Sequence, residues 1–425
     1  MKLLVIGSGA REHAIAWKLR QSQQTELLYT APGNGGTAQL GTNLSISATD
    51  VTGLLEAAHQ HKVDLTFVGP EAALASGVVD RFQQNGKSIF GPTVAAAQIE
   101  SSKAFAKEFM ARHGIPTAQG VAFDSFAEAQ RFLQGRDGPI VVKADGLAAG
   151  KGVTVAHSRA EALAALDACM NRQAFGEAGA TVVLEEFMEG REVSVFAFTD
   201  GLRLSPLVAA CDYKRAFEDD QGPNTGGMGS YSPPELWSEE LTKEAEEKVF
   251  RPAIDGLAKE GKPYRGVLYG GMMLTKEGMK VVEFNARLGD PEAQVILPRL
   301  RSDLVEIAGA IAEGDLSRAS VEWMPLACVG VVMASQGYPD SYTTGYPIYG
   351  LQGVEGQALL FHHGTMPANR ASPMSGGVAT SGGRVLTVVG CAPTLAQARE
   401  KAYAALQRVG FQSAFYRKDI ALRAI

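Results

Sequence analysis

Short apolar runs, each closed by a glycine-bearing loop and followed by a helix-patterned stretch, fill the first hundred residues. Lys2–Ile6 runs into Gly7-Ser8-Gly9, where GSGAREHAIAWKLRQS opens a helix. A second strand is expected over Glu26–Thr30, before Pro32-Gly33-Asn34-Gly35-Gly36-Thr37. Helices are expected over Thr52–His61 and Gly77–Gln84. Strands are expected over Asp64–Val68, before Gly69-Pro70-Glu71, and over Ser88–Phe90, before Gly91-Pro92. Strands that alternate with helices and end on turn glycines predict a doubly wound parallel-sheet α/β domain. Ligands of such sheets bind beyond the carboxyl ends of the strands, where these glycine loops lie.

From Ser101 the pattern changes. SSKAFAKEFMARHG has two candidate serine caps, Phe105 and Phe109 at helical spacing, and a Gly114/Pro116 stop. Capping boxes at Ser125–Glu128 and Ser158–Glu161 start helices between strands near Val121–Phe123, Pro139–Lys143 and Thr181–Glu186. Residues 123–190 therefore form a small α/β unit within a larger region. A strand-rich stretch follows, with hairpin turns at Asp200-Gly201 and around Lys276–Gly278. Alternating strands and a helix capped by Thr394 make a C-terminal α+β unit. The expected divisions are 1–100, 101–324 and 325–425, within the two to four domains that 425 residues suggest.

Composition excludes several classes of function. A net charge of −6 with no basic run argues against a nucleic-acid binder. No apolar run reaches the roughly 18 residues of a membrane helix, and the amino terminus turns polar too early for a signal peptide. Cys169, Cys211, Cys328 and Cys391 are far apart in sequence and form no CxxC pair. This pattern fits buried cysteines in a reducing cytoplasm. The histidines form no metal pattern, and His362-His363 reads as structural.

Several loops carry candidate chemistry. Gly7-Ser8-Gly9-Ala10-Arg11-Glu12 has the position of a dinucleotide fingerprint, but Glu12 replaces its third glycine. A helix N-terminus can still hold a phosphate, and the loop at Gly33–Gly36 lies alongside it; plain turn glycines are the alternative. Asp145-Gly146-Leu147-Ala148-Ala149-Gly150-Lys151-Gly152 resembles a Walker A loop but has the wrong spacing and no Ser/Thr after the lysine. Its backbone and Lys151 could nevertheless lie over phosphates. Lys143 closes the apolar strand IVVK, as an anion-facing lysine would. Glu185 to Glu192 is either an adenine- and ribose-facing turn or a charged loop. In Val281-Val282-Glu283-Phe284-Asn285-Ala286-Arg287, period two puts Val282, Phe284 and Ala286 on the core face. Glu283, Asn285 and Arg287 then share the other face. A carboxylate and an amide oxygen suit a hard Mg²⁺ with bound phosphates, and the arginine suits a developing oxyanion. Gly289-Asp290-Pro291-Glu292 adds two acids, while Asp212-Tyr213-Lys214-Arg215 and Pro223–Gly229 add charges and backbone donors.

Taken in order, GSGAREH, APGNGGT, VDLTFVGPEAAL, ESSKAFAKEFM, GIPTA, IVVKADGLAAGKGV, VVLEEFMEGREVSVF, GPNTGGMGSYSPP and VVEFNARLGDPEAQVILPRL resemble the ATP-grasp superfamily, and within it the phosphoribosylamine–glycine ligase family. The resemblance runs from residue 2 to the end. It implies an ATP-grasp core with a small α/β lid and a cytoplasmic, monomeric enzyme of purine biosynthesis. The implied reaction joins glycine to 5-phosphoribosylamine with ATP and Mg²⁺ or Mn²⁺, through a glycyl phosphate. The alternative is another ATP-grasp carboxylate–amine ligase or a carboxylase.

Carried over by position, the resemblance implies that Lys103 and Lys143 contact ATP phosphates beneath a loop containing Gly146, Gly150 and Gly152, the loop in which Lys151 is the candidate donor. Glu185 and the Phe187 backbone read adenine, and Glu192 holds ribose. Glu283 and Asn285 bind the metal, and Arg287 steadies the acyl phosphate. Asp212, Lys214, Asp290 and Glu292 are candidates for glycine and the amine. Gly9, Asn34, Gly35 and Glu71 are candidates for phosphoribosylamine. Two departures stand out: Ala10 replaces a common glycine, and Tyr269–Met273 lacks the acid that many relatives use as another metal ligand. Either phosphates and water replace that acid, or Asp290 or Glu292 does.

Overall fold

The computed structural model describes residues 1–136, 138–148, 152–368 and 377–424; Gly150 and Lys151 lie outside the described residues. The N-terminal strands Lys2–Gly7, Leu27–Pro32, Thr42–Asn43, Leu65–Val68 and Ile89–Phe90 form a five-stranded parallel sheet, ordered third, second, first, fourth, fifth. Leu3–Ile6 and Leu65–Val68 are buried along their whole length, as strands covered on both faces must be. The chain order reverses between the first and fourth strands. The loops at Gly7–Gly9 and Gly69–Glu71 therefore flank the switch crevice.

The helix Lys103–Arg112 starts at Ser102, whose hydroxyl accepts the Phe105 N–H at 3.1 Å. Beyond it, Gly120–Phe123, Val182–Glu186, Ile140–Ala144 and Val153–Ala156 make an antiparallel four-stranded sheet in that spatial order. Helices Phe126–Phe132 and Arg159–Met170 contribute to its separate apolar core, which includes Leu133, Val142, Leu166 and Leu184. The Ser158 cap forms, its side chain accepting the Glu161 N–H, but the box does not close: the Glu161 carboxylate accepts the N–H of His157, one residue before the cap, at 3.0 Å. The Ser125 cap does not form. Ser125 precedes its helix in extended backbone, but its hydroxyl makes no capping bond.

A nine-stranded antiparallel sheet builds the rest. Its order is Gly278–Asn285, Gly266–Thr275, Arg191–Thr199, Val208–Asp212, Gly229–Ser232, Ala327–Ser335, Arg384–Ala392 and Leu359–His362, with Ala414–Phe415 also paired to Ala327–Ser335. Pairing of Gly229–Ser232 with Ala327–Ser335 makes the sheet continuous across residue 325. Thr275 opposes Gly278 across the expected hairpin turn, and Thr394 caps Leu395–Leu406.

One alternation differs from expectation. The register shifts between Gly271 and Met272, so Val282 falls in a β-bulge between the paired residues Val281 and Glu283. Val281 is consequently buried and Val282 only half-buried, while Phe284 and Ala286 keep their core positions. Among the described residues, no helix is long and apolar enough to cross a membrane.

Candidate active site

Helix start, small sheet and large sheet meet around the strand Gly278–Asn285. Lys143 is buried one residue before the end of its strand; it donates to the Val282 carbonyl at 3.1 Å and pairs with Glu185 at 2.7 Å. The bulge exposes that carbonyl. Glu185 is also paired with Lys107 at 3.0 Å, and Lys107 is anchored by Thr117 Oγ1 and the Ala118 carbonyl. The Glu185 carboxylate thus bridges two buried lysines. Sequence reading missed Lys107, although it lies one helical turn beyond Lys103 and shares its face. Lys103 reaches the Gly146 carbonyl at 3.1 Å, while Asp145 accepts the Ala104 N–H at 2.6 Å and the Ser102 hydroxyl. Gly146 and Gly152 also have a packing reason: a Cβ on either would come within 2.8 Å or 2.7 Å of Ala178 or Ala148.

Glu283 is half-buried. Burial opposes its ionisation, but the charges of Lys214, Lys143, Lys103 and Arg287 prevail and hold its carboxyl below the ordinary range. Asn285 is buried, and its Oδ1 accepts from Arg287 at 3.2 Å. Arg287 lies between Glu71 at 3.0 Å and Glu100 at 2.8 Å, and Glu100 also accepts the Ala286 N–H at 2.7 Å. These carboxylates outweigh burial and keep the guanidinium charged. Burial opposes the ionisation of Glu71 as well, yet Arg287 and Arg11 bring it down to about 2. Burial pushes the Glu100 carboxyl up despite its arginine. Glu100 gave no sequence signal beyond its place at the start of the ESSK stretch.

Lys214 pairs with Glu192. Burial works against its charge, while Asp212, Glu192 and Glu283 raise its pKa. Burial, helped by Glu292 and Glu192, pushes Asp212 up against the pull of Lys214. Glu292 is buried and accepts from the Ser194 and Tyr269 hydroxyls, each at 2.9 Å. Phe187 is exposed beside the His157 ring. Among the described residues, no group of three or more His, Cys, Asp or Glu side chains converges on a metal-sized position. The Glu283 carboxylate and Asn285 amide oxygen are nevertheless hard donors of the kind Mg²⁺ selects.

A second locus opens between the first glycine loops and the C-terminal strands. A cavity of about 400 Å³ is lined by Gly9, Gly33, Asn34, Asp290, His363 and Arg384, among others. The Gly9 N–H is not free for a ligand: Glu12 accepts it at 2.6 Å. Glu12 is buried, and a Cβ at Gly7 or Gly69 would collide with it. A dinucleotide pyrophosphate would compete with that carboxylate. Asn34 holds loops together, donating to the Ser8, Gly9 and His362 carbonyls and accepting from the Gly36 and Thr37 N–H groups. Gly35 donates to Thr365. Asp290 accepts from Arg384 at 2.9 Å and from Gln294 at 2.7 Å. Arg384, opposing burial, holds its carboxyl far below the ordinary range. His363, read as structural from sequence, lines the cavity 3.8 Å from Asp290; His362 packs against His13. Arg384 opens an apolar strand, a weak counterpart of the lysine that closes IVVK.

The fold around these residues is that of the ATP-grasp enzymes. Family profiles described as Phosphoribosylglycinamide synthetase N domain, ATP-grasp (A) domain and C domain match residues 1–100, 101–293 and 328–423. A "Phosphoribosylamine--glycine ligase" of Halalkalibacterium halodurans is 48% identical over 100% of this chain and 97% of its own length. The human "Trifunctional purine biosynthetic protein adenosine-3" is 48% identical, covering 100% of this chain and 42% of that protein. A crystal structure of the Thermotoga maritima phosphoribosylamine–glycine ligase, 33% identical, superposes with a TM-score of 0.83 over 99% of this chain and 100% of that one. The chain belongs to the phosphoribosylamine–glycine ligase family.

Proposed function

We propose that this chain joins glycine to 5-phosphoribosylamine, consuming ATP and releasing glycinamide ribonucleotide, ADP and phosphate. Whole-length relatives bearing the ligase name support this reading over a carboxylase. The observation that carries the mechanism is the meeting of Lys103, Lys143 and Arg287 around Glu283 and Asn285, together with the cavity of about 400 Å³ that Arg384 helps to line.

Lys103, Lys143 and the 146–152 loop, with Lys151, hold the ATP phosphates. Glu185, paired with two lysines, and the Phe187 backbone face adenine, and Glu192 faces the ribose. Glu283 and Asn285 would hold Mg²⁺ or Mn²⁺, which supplies charge stabilisation to the transferring phosphoryl group. A glycine carboxylate oxygen attacks the γ-phosphorus and ADP leaves, with Arg287 steadying the acyl phosphate. Asp212 and Lys214 position glycine. The phosphoribosylamine nitrogen then attacks the carbonyl carbon, phosphate departs, and the nitrogen loses a proton. Asp290, held ionised by Arg384, orients the amine, and Glu292 supports that turn from beneath. Gly9, Asn34 and Gly35 shape the phosphoribosyl cavity, with Glu71 at its edge. The units 1–100, 101–324 (lid 123–190) and 325–425 divide this work. A monomer suffices, because every group named comes from one chain.

Turnover of glycine labelled with ¹⁸O in its carboxylate tests the mechanism, with mass spectrometry of the released phosphate. One labelled oxygen is expected in phosphate. Unlabelled phosphate, with exchange controls clean, would overturn the acyl-phosphate route, and labelled AMP would show adenylation instead.

A further inference from the structure

Cysteines 63 positions apart in sequence come together in the C-terminal half of the large sheet. Cys328 on Ala327–Ser335 directly opposes Cys391 on Arg384–Ala392, with their sulfurs 3.1 Å apart as free thiols. Directly opposed residues of an antiparallel pair have Cα atoms about 4.5–5.5 Å apart. A disulfide spans about 4.4–6.8 Å, so these strands could accept the bond without moving. The two thiols differ in access: Cys328 is fully buried, whereas Cys391 is half-buried.

Their surroundings differ as well. Cys391 receives the Cys328 S–H, and Lys401 lies close enough to donate to the Cys391 carbonyl at 3.2 Å. The sulfur hydrogen bond from Cys328 outweighs burial, and with the Lys401 charge it favours a thiolate at Cys391. That same hydrogen bond, together with burial, keeps Cys328 protonated. Beside Cys328 lies Arg299, a buried guanidinium that makes no ion pair among the described residues. Its side chain donates to the Ser232 hydroxyl, and its Nε has no partner. The other two cysteines shift the opposite way to Cys391: burial alone raises Cys169, and burial pushes Cys211 up to about 12 against the Tyr231 hydrogen bond and the Arg191 charge.

We propose that Cys391 and Cys328 form an oxidisable dithiol, a modification site separate from the ligase chemistry. The accessible Cys391 thiolate attacks a hydroperoxide; the O–O bond breaks, sulfur gives up two electrons, and the alcohol or water leaves with a proton. The resulting Cys391 sulfenic acid then meets the Cys328 thiol. The S–S bond forms as the sulfenic oxygen departs as water with the Cys328 proton. Nucleophile, resolving thiol and bond geometry are all in place, and a hydroperoxide is the one reactant supplied from outside.

Purified full-length chain is exposed to hydrogen peroxide, and remaining thiols are alkylated before non-reducing tryptic digestion. Cleavage after Arg370 and Arg384 separates the two cysteines, so a disulfide appears as one cross-linked peptide pair that reductant dissolves. The free-thiol count should fall from four by two, with Cys169 and Cys211 still alkylatable. In Cys328→Ser, dimedone should trap a sulfenic acid on Cys391. Mapping the unmutated chain keeps the test valid even if that variant folds poorly. Oxidation of Cys169 or Cys211 first would overturn the proposal. So would conversion of Cys391 to sulfinic acid while Cys328 stays alkylatable.

Discussion

Replacing Arg384 by Met should weaken ribonucleotide binding selectively. Among the described residues that line the cavity, Arg384 is the one Arg or Lys. Its guanidinium donates to the Gly226 carbonyl at 2.7 Å, the Asp290 carbonyl at 3.1 Å and Asp290 Oδ2 at 2.9 Å. A guanidinium has five N–H donors, so donors remain that can face a phosphate. A hydrogen bond to a charged group contributes about 1.5–3 kcal/mol, and one decade of affinity is about 1.4 kcal/mol. Loss of one such contact therefore predicts roughly 10- to 150-fold weaker binding of glycinamide ribonucleotide by calorimetry. ATP, held by the lysines around Glu283, should bind within about twofold of normal, less than 0.5 kcal/mol. The substitution also strands Asp290 without its main counter-charge, so stability should fall by about 3 kcal/mol. Arg384→Lys, which keeps the charge, should recover part of the affinity. Equal weakening of ATP and ribonucleotide, or lost stability with unchanged ribonucleotide affinity, would refute a phosphate-facing role.

Glu283→Gln should lower turnover by several kcal/mol of transition-state stabilisation and raise the Mg²⁺ requirement, with a smaller stability change because Val281 and Phe284 carry the packing; near-normal turnover at limiting Mg²⁺ would remove the metal assignment. Lys107→Met leaves Lys143 to neutralise Glu185 alone, so thermal unfolding should show a loss of about 2 kcal/mol and ATP affinity should drop severalfold; an unshifted Tm would contradict the bridge. Burial holds His362 and His363 down at about 4 and about 3, against about 6.5 unfolded. Their contribution to stability is complete above pH ~6.5 and declines as pH falls toward the folded values, because only the unfolded chain takes up the protons. Each adds up to ~1.4 kcal/mol per pH unit to the slope. Urea unfolding between pH 6.5 and 4.5 should show a shallower slope in His363→Gln, and an identical slope would exclude the buried neutral imidazole.

The legible parts of the fold were those set by local rules. Period, glycine stops and caps located the parallel strands, the Ser158 and Thr394 helix starts and the turn before Gly278, because these features need only neighbours in sequence. Ser125 has the same pattern as Ser158 but makes no capping bond. The bulge at Val281–Val282 is set by the partner strand, so period two put the wrong valine in the core and hid the carbonyl that Lys143 uses. For the same reason, half of the 400 Å³ cavity was illegible. His363 and Arg384 reach it only because the strands Leu359–His362 and Arg384–Ala392 pair in a sheet that ends beside the first glycine loops. Asn34 and Glu292 read as ligand-facing polar groups, yet tertiary partners occupy most of their hydrogen-bonding capacity.

Acyl transfer between two bound substrates requires their reacting atoms to be held within roughly 3–3.5 Å, so the two loci must be mechanically joined. Alternating charges make that connection. The Gly9 N–H donates to Glu12 at 2.6 Å, and Glu12 pairs with Arg11 at 2.6 Å. Arg11 lies 3.6 Å from Glu71, which pairs with Arg287, and Arg287 pairs with Glu100. Glu100 accepts the Ala286 N–H, immediately after Asn285. The series runs from the wall of the cavity lined by Gly9, Asn34 and Arg384 to the strand that carries Glu283 and Asn285, through five charged side chains of alternating sign. Removing Arg11 leaves the buried Glu12 carboxylate without its arginine, and removing Arg287 does the same to Glu100, which costs far more than an exposed pair would. Among the described residues, the N-terminal sheet and the large sheet share no strand pairing. This ionic series, together with apolar packing, therefore fixes the distance between the two loci.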